Sequence, residues 1–323
     1  MAIFISGVAG FIGGNLAAEL LGRGERVLGF DNLSLGRIEN LRPLRRQARF
    51  AFERVDLAEA GPYLTALRRF HRRHRITEVW HLAANSDIPA GLADAGIDLR
   101  NTFLTTFNTL ETMKALAIPV IAFASSSAIY GDLKGALLTE STGPLFPISN
   151  YGAMKLASEA AVTAAAESHL ERAFIFRFPN VIGAPATHGV ILDFVRKLRA
   201  TPRRLAVLGD GSQRKAYLHV DDLIGAMLHI RRRSRERISC FNIAGQDRGA
   251  TVRFIAEAVV AALSPGAAIA YGRGGKGWVG DVPRFNYSTG KLQALGWRPR
   301  LGSREAIRRA IRQIIVQETG KNP

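Results

Sequence analysis

The stretch AIFISGVAGFIGG, residues 2–14, joins an apolar run to a glycine-rich turn. The run AIFIS is short and rich in β-branched and aromatic residues, which predicts a buried strand. Gly7, Gly10 and Gly13 then recur at every third position, and a helical pattern follows them. A strand, a glycine turn and a helix in this order form the first unit of many parallel α/β sheets.

The same alternation continues through the first half of the chain. Further strand-like runs occupy residues 26–30, 49–55, 78–83, 119–125 and 173–178. Helical patterns lie near residues 12–22, 61–73, 98–116 and 150–170. Strands that alternate with helices predict an α/β fold with a Rossmann-like, doubly wound parallel sheet that carries helices on both faces.

The second half of the chain has shorter helical patterns and more frequent Gly and Pro. These patterns lie near residues 189–199, 221–233, 251–263 and 303–317. We therefore expect a Rossmann domain over residues 1–177 and a smaller C-terminal α/β lobe over residues 178–323. The strand-like run CFNIAG, residues 240–245, is expected to add a strand to the main sheet.

Composition limits the class of protein. A chain of 323 residues that is 47% hydrophobic and 22% charged is expected to be globular with a sizeable core. Cys240 is the only cysteine, which excludes an internal disulfide and a cysteine-based zinc site and indicates a reducing compartment. No apolar run reaches the ~18 residues of a membrane span, so we expect a cytoplasmic protein without a membrane partner.

The formal net charge of +17 raises the question of a nucleic-acid partner. The densest basic runs are RRFHRRHR, residues 68–75, and RRRSRER, residues 231–237. Both follow or end helical patterns, where arginine complements the negative end of the helix dipole. No aromatic residue interrupts the second run, as a single-strand groove would require. These features argue against a nucleic-acid partner.

His71 and His74 lack a carboxylate or cysteine at ligand spacing, so no metal site is expected.

The glycine turn has a physical reason to bind phosphate. Bare backbone amides at a helix N-terminus attract a pyrophosphate, and the missing side chains let the backbone approach it. Asp31 ends the second strand at about the ~20-residue interval at which an acid binds the adenosine ribose hydroxyls. This favours NAD over NADP, because Asp31 would repel the 2′-phosphate that Arg37 could otherwise bind. The alternative is that Asp31 serves only as a turn residue in the sequence DNLS and binds no ligand. Asp56, after the third strand, is a candidate for the adenine edge.

The stretch SNYGAMKLASEA, residues 149–160, places Tyr151 and Lys155 four positions apart in a helical pattern. Residues at this spacing stack on one side of a helix. The spacing by itself fits either a catalytic pair or a solvated polar face, so other residues must decide between them.

The residues quoted above, together with FASSSAIYGD (123–132), RFPNVIG (177–183) and LGDGSQRKAYLHVDD (208–222), resemble the extended short-chain dehydrogenase/reductases. Within that family they are most similar to the sugar-nucleotide epimerases typified by UDP-glucose 4-epimerase. The resemblance runs over nearly the whole chain. It implies NAD as cofactor, a UDP-hexose as substrate and epimerisation at C4 through a transient 4-keto sugar. It also implies a homodimer paired through the helices near residues 98–116 and 150–170.

The resemblance also implies roles for individual residues. Tyr151 would be the acid/base, and Lys155 would hold the nicotinamide ribose and lower the pKa of Tyr151. A phenol needs a pKa roughly three units below its usual value of about 10 to act as a base near neutrality. Ser126 would be the hydroxyl partner, with Ser125 and Ser127 as neighbouring alternatives. The implied NAD contacts are Gly7, Gly10, Phe11, Ile12, Gly13, Asp31, Asn32, Asp56, Leu57, Ala83, Tyr151 and Lys155.

The resemblance assigns mainly sugar-nucleotide binding to the C-terminal lobe. The implied substrate contacts are Ser126, Asn180, Arg214, Lys215 and Phe285. Lys215 stands where the family usually carries a diphosphate-binding arginine, and Arg214 is the alternative that could make the bidentate contact. Phe285 corresponds to a gate beside the sugar C2 substituent, and its bulk is expected to favour UDP-glucose and UDP-galactose over the N-acetyl sugars.

Other reactions and classes stay open from the sequence. Within the family these are dehydratase, decarboxylase and 4-reductase chemistry. The family's dehydratases carry an Asp-Glu pair directly after the catalytic hydroxyl residue, whereas Ser127 and Ala128 stand there in this chain, which favours the epimerase. A non-catalytic NAD-binding protein would have no need of Tyr151 and Lys155, and a nucleic-acid-binding protein is the remaining alternative.

Overall fold

The computed structural model describes residues 1–274 and 286–321. Its strands are β1 Ala2–Ser6, β2 Val27–Asp31, β3 Phe50–Arg54, β4 Ile76–His81, β5 Val120–Ala124, β6 Leu137–Leu138, β7 Arg172–Arg177, β8 Asn180–Ile182, β9 Arg204–Val207, β10 Arg214–Lys215, β11 Tyr217–His219, β12 Ile238–Asn242, β13 Ala250–Thr251, β14 Ala268–Tyr271 and β15 Asn286–Tyr287. Its α-helices are α1 Phe11–Gly22, α2 Ala60–His74, α3 Ile88–Ala93, α4 Ala95–Asp98, α5 Thr105–Ala115, α6 Asn150–Ser168, α7 Val190–Ala200, α8 Val220–Arg233, α9 Val252–Leu263, α10 Gly290–Ala294 and α11 Ser303–Thr319.

The main sheet has seven strands in the order β12-β7-β5-β4-β1-β2-β3. The pairs from β7 to β3 along this order are all parallel. Parallel strands need crossover connections, and helices α1, α2, α5 and α6 follow β1, β3, β4 and β5 along the chain. The predicted doubly wound α/β fold is confirmed. The strand expected at residues 240–245 lies at Ile238–Asn242, beside β7.

The strand order sets the place of the site. Because β1 lies between β2 and β4, the connections that leave the carboxyl ends of β1 and β4 run in opposite directions. Open α/β sheets bind ligands in the crevice at such a reversal. The glycine turn follows β1, and Ala83 lies just beyond β4.

Burial explains why these strands form. All five residues of β1 are buried, as a parallel strand covered on both faces requires. Phe4 packs edge-on against Phe30 with their ring centroids 5.0 Å apart, and Tyr63 of α2 lies 6.1 Å from Phe4. The core under the crevice is therefore aromatic and close-packed.

Two compact units divide the chain. Unit 1 comprises Met1–Gly131, Gly143–Arg177 and Ile230–Phe241; unit 2 comprises Asp132–Thr142, Phe178–His229 and Asn242–Pro323. The main sheet belongs to unit 1 apart from the end of β12. In unit 2, helices α7, α9 and α11 share a core in which Val195, Val259 and Ile311 are buried. Short parallel strand pairs, β8 with β11 and β9 with β14, complete this unit.

The helix expected near residues 98–116 is continuous but irregular: α4 ends at Asp98, a π-helical segment covers Leu99–Leu104, and α5 begins at Thr105 without a break between them. A π-helical segment often marks a functional site. Along the described ranges, no helix is both long enough and apolar enough to cross a membrane.

Candidate active site

The glycine turn is packed too tightly for side chains. Gly7 has a φ of +71°, and a Cβ there would lie 2.9 Å from the backbone of Ala83. A Cβ on Gly13 would lie 2.2 Å from the carbonyl oxygen of Gly7. Gly10 is the N-cap of α1, and no side chain within the described residues caps it. The first helical residues, Phe11 and Ile12, therefore begin a helix whose N-terminal amides are left for a ligand.

Asp31 lies at the rim of this turn. Its Oδ2 accepts a hydrogen bond from the Ala9 N–H at 3.0 Å, and its Oδ1 accepts one from the Leu33 N–H at 2.8 Å. Burial raises the pKa of this carboxyl, and the backbone donors oppose that rise. A carboxylate has acceptor capacity beyond these two bonds. The glycine turn and Asp31 together fit the pyrophosphate and ribose of a dinucleotide.

The other expected NAD contacts differ in their hydrogen bonds and in their burial. The N–H of Ala83 donates to the Ser6 hydroxyl at 3.2 Å. Asp56 accepts from the Ala58 N–H at 2.9 Å and pairs with Arg100 at 2.9 Å. Asn32 closes a turn through the Ser34 N–H, and Leu57 is buried. The carboxylate of Asp56 is thus partly occupied by the protein, and its contact with adenine stays a prediction.

Ser126, Tyr151 and Lys155 come together at the end of β5. Ser126 caps the 3₁₀ turn Ser127–Tyr130 by accepting from the Ala128 N–H at 3.1 Å. Its hydroxyl also lies close enough to the side chain of Tyr151 to lower the pKa of that phenol. Tyr151 lies in the first turn of α6, and the Lys155 Nζ lies 5.9 Å from the centroid of the Tyr151 ring. The structure therefore joins the three residues that sequence analysis selected.

Burial dominates the electrostatics of this cluster. Burial raises the pKa of Tyr151 to about 12; the Ser126 hydroxyl opposes this, and the charge of Asp98 adds to it. Burial also lowers the pKa of Lys155 to about 7, against the attraction of Glu159. The Lys155 Nζ donates to the Ala124 carbonyl at 2.7 Å. In the residues of the chain alone, burial disfavours the phenolate more than its neighbours stabilise it. The lowering of the tyrosine pKa, expected from Lys155 together with NAD⁺, stays a prediction.

Sequence analysis missed a buried carboxylate near the tyrosine. Asp98 is fully buried, and its Oδ1 accepts from the Asn85 Nδ2 at 2.8 Å. A Cβ on Gly91 would lie 1.9 Å from the Asp98 Oδ2, so this position needs glycine. No sequence signal marked Asp98, since it begins the stretch, residues 98–116, that was read as one amphipathic helix.

A buried histidine was also missed. The His81 Nδ1 lies 2.9 Å from the Ser6 hydroxyl, and its Nε2 lies 3.1 Å from that of Thr106. Burial lowers the pKa of His81 to about 3, so the ring is neutral. Ser6 in turn accepts from the Leu82 and Ala83 N–H groups. His81 thereby fixes the segment that meets the glycine turn. The sequence signal that could have indicated this buried histidine is its position at the end of the predicted strand, in EVWH.

The expected substrate residues that the structure describes belong to unit 2, apart from Ser126. Asn180 is exposed in β8, opposite Tyr217 of β11. Arg214 and Lys215 form β10, and the Arg214 NH1 donates to the Gly249 carbonyl at 3.3 Å. Consecutive strand residues point to opposite faces, so these two cannot both face one ligand from the strand. Phe285 lies outside the described residues.

Known proteins with similar sequences catalyse more than one reaction. Residues 3–244 match the NAD dependent epimerase/dehydratase family. A UDP-glucose 4-epimerase from Azospirillum brasilense is 28% identical over 322 residues, covering 92% of this chain and 87% of the relative. A dTDP-glucose 4,6-dehydratase from Neisseria gonorrhoeae is 29% identical over 250 residues, covering 71% and 68%. Similar identity to enzymes of different reactions leaves the reaction itself open.

The fold agrees over the whole length. The solved UDP-glucose 4-epimerase of Thermus thermophilus, in complex with NAD, matches with a TM-score of 0.83 and 30% identity, covering 97% of this chain and 99% of that one. The family resemblance predicted from the sequence is confirmed. Because the family match spans most of the chain, this protein belongs to the NAD dependent epimerase/dehydratase family of enzymes.

Proposed function

We propose that the protein epimerises a UDP-hexose at C4 through a transient 4-keto sugar. The observation that carries the proposal is the Ser126 turn: its serine lies beside Tyr151, close enough to lower the pKa of that phenol, and the next two residues, Ser127 and Ala128, carry no carboxylate. The first feature supports oxidation at C4, and the second disfavours loss of water after it.

NAD, when bound, supplies the acceptor that takes a hydride from C4 and returns it. The glycine turn and Asp31 would hold its pyrophosphate and adenosine ribose, as their geometry fits these groups. By family resemblance Lys155 would bind the nicotinamide ribose. The protein's task is then to hold the dinucleotide and the sugar while a proton leaves and returns at O4.

Tyr151 is the proposed proton acceptor at O4, and Ser126 would hydrogen-bond O4 and hold it near the phenol. With a pKa raised to about 12, Tyr151 stays protonated until positive charge is added nearby. Lys155 in its protonated form, together with the positive nicotinamide, would provide that charge. This would confine deprotonation of Tyr151 to the complex in which the reaction occurs.

A 4,6-dehydratase is the principal alternative. Elimination of water needs an acid at O6 and a base at C5, which two carboxylates can supply. Ser127 is buried, and a hydroxyl is too weak an acid and base for both tasks. Ala128 has no functional group. Decarboxylase and 4-reductase activities would differ in product mass, so one product analysis separates all four reactions.

Partners are proposed on the same basis. Asn180 with Arg214 or Lys215 would contact the nucleotide part of the UDP-sugar. A homodimer is supported by two large apolar side chains near α5, Leu99 and Phe107, whose surfaces are 54% and 46% exposed. Light scattering would test the dimer, and Phe107→Glu should produce a monomer.

The test of the proposed function is product identification. UDP-glucose, UDP-galactose and their N-acetyl counterparts would each be incubated with the enzyme and followed by proton NMR. We expect inversion at C4 with UDP-glucose and UDP-galactose in equilibrium. A stable keto sugar as the only product would overturn the proposed function.

A further inference from the structure

Four side chains behind the reaction centre form a connected buried group, which we call the Glu159 clamp: Ser125, Tyr130, Glu159 and Arg177. The Glu159 Oε1 accepts from the Ser125 hydroxyl and, at 3.0 Å, from the Arg177 Nε. The Glu159 Oε2 accepts from the Arg177 NH2 at 2.7 Å. The Arg177 NH1 donates to the Tyr130 hydroxyl at 3.1 Å. One bidentate ion pair therefore reaches two separate hydroxyls.

The location of these hydroxyls is specific. Ser125 directly precedes Ser126, and Tyr130 ends the 3₁₀ turn that Ser126 caps. The clamp thus binds the Ser126 turn at both ends. Glu159 lies on α6, one helical turn beyond Lys155 and two beyond Tyr151. A single carboxylate consequently ties the turn that carries Ser126 to the helix that carries Tyr151.

The clamp is costly to bury and is not required to join its elements. The Arg177 and Glu159 side chains are only 10% and 6% exposed, and burial of an ion pair removes most of its net contribution to stability. Strands β5 and β7 are already paired along their length. The Ser125 N–H donates to the Phe176 carbonyl at 2.9 Å, which fixes the backbone there without the ion pair. What the clamp adds is the position of the turn relative to α6.

We propose that the Glu159–Arg177 ion pair is a positioning device that sets Ser126 against Tyr151 for proton transfer at O4. This rests on the proposed function only in taking Ser126 and Tyr151 as the reacting pair. Misplacement of such groups by about 1 Å can reduce a rate by ~100-fold. Glu159, Arg177, Ser125 and Tyr130 would act through Ser126 and Tyr151, without contact with the substrate.

Two conservative variants, Ser125→Ala and Tyr130→Phe, each remove one hydroxyl and leave the ion pair in place. Ser158→Ala is the matched control: Ser158 precedes Glu159 on α6, is fully buried, and its hydroxyl has no hydrogen-bond partner in the described part of the chain. Glu159→Gln is a third variant; it keeps side-chain volume and can still accept from Ser125, but it loses the bidentate pair.

Stopped-flow absorbance would follow reduction of enzyme-bound NAD by UDP-glucose in a single turnover, alongside substrate affinity, NAD content and melting temperature. We expect Ser125→Ala and Tyr130→Phe to slow reduction by about 10- to 100-fold with unchanged affinity and NAD content, and Ser158→Ala to match wild type. Wild-type rates in both hydroxyl variants, or slowing only in proportion to lost NAD or stability, would overturn the proposal. Glu159→Gln gives supporting evidence only, because it also removes the carboxylate that favours the charged form of Lys155. If one hydroxyl variant fails to fold, the other decides by the same criteria.

The readout separates this inference from the proposed function. Reduction of NAD by oxidation at C4 is the first step of epimerase and dehydratase chemistry alike. A wild-type enzyme that reduces NAD but forms no C4 epimer would refute the proposed function and leave the clamp measurement intact.

Discussion

Tyr151 and Lys155 are both held by burial toward their neutral forms. The pKa of Tyr151 is raised to about 12 and that of Lys155 lowered to about 7, so their charges depend on what else enters the site. The Ser126 hydroxyl and the Glu159 carboxylate oppose these shifts without overcoming them. We infer that the pair acquires its reactive charge state together with the cofactor and substrate.

Replacement of Tyr151 by phenylalanine tests the proton acceptor. Tyr151→Phe keeps the ring and its packing and removes only the hydroxyl that would exchange a proton with O4, so we expect turnover to fall by ~10³-fold or more while NAD stays bound. Steady-state kinetics and the nucleotide content of the purified variant measure both effects. Near-normal turnover would assign the base to another group.

His81 predicts a specific acid sensitivity. Its folded pKa of about 3 lies below its ordinary value of 6.5, so its neutral form stabilises the fold above pH 6.5, and this contribution falls as the pH drops from 6.5 toward 3. Between pH 6.5 and pH 5 the loss is roughly 2 kcal/mol. His81→Gln cannot be protonated and should lose less stability over this range, as measured by urea unfolding.

The exposed His188 provides the control for that experiment. His188→Gln makes the same substitution at an exposed position, so the effect of His81 is measured as the difference between the two variants. An equal dependence in His81→Gln and wild type would show that His81 does not carry the effect.

At the scale of elements, the β1–α1 unit is the clearest case in which local sequence determines structure. The glycine turn cannot accept a Cβ at Gly13, which would lie 2.2 Å from the Gly7 carbonyl oxygen. Gly22 at the other end of the same helix has no atom within 4 Å of its Cβ position. The two glycines therefore offer a matched pair of substitutions within one element.

Gly13→Ala should displace the turn and greatly weaken NAD binding, whereas Gly22→Ala should leave binding unchanged and stabilise the helix slightly. Isothermal titration with NAD after removal of bound nucleotide would compare the two variants. Equal affinity in both would show that the turn does not form the pyrophosphate site.

Sequence patterns predicted the strands of the main sheet because most of them are short, apolar and bounded by turn residues. Of the helices around this sheet, α2 has a clear apolar face, whereas α1, α5 and α6 do not. It did not predict β10 or β13, which have two residues each and too few positions to show a period. The π-helical segment at Leu99–Leu104 was missed because its side chains fit a helical pattern of either kind.

The candidate site was predictable to the extent that its residues stand in recognisable motifs. Ser126, Tyr151 and Lys155 were selected from such motifs and are adjacent in the structure. Asp98 and the Glu159 clamp were not, because they join residues far apart in sequence through side-chain contacts. The raised pKa of Tyr151 likewise depends on burial, which spacing does not encode.

For the molecule as a whole, the proposed cycle ends with its cofactor in the starting state. The enzyme would have no need to release it, so purified protein should carry bound nucleotide, and we expect Asp31 at the rim of the glycine turn to select NAD. Heat denaturation followed by chromatography of the supernatant identifies the nucleotide. NADP or NADPH as the main species would contradict the role given to Asp31.

The central claim is that C4 is oxidised and reduced again with no loss of water. Mass spectrometry and NMR of the product formed from UDP-glucose in deuterated water test it most directly. Because the hydride leaves C4 and returns there without exchange with solvent, we predict UDP-galactose of unchanged mass with no deuterium on the sugar carbons. A product lighter by one water, with a 4-keto-6-deoxy spectrum and deuterium from solvent, would contradict the claim and identify a dehydratase.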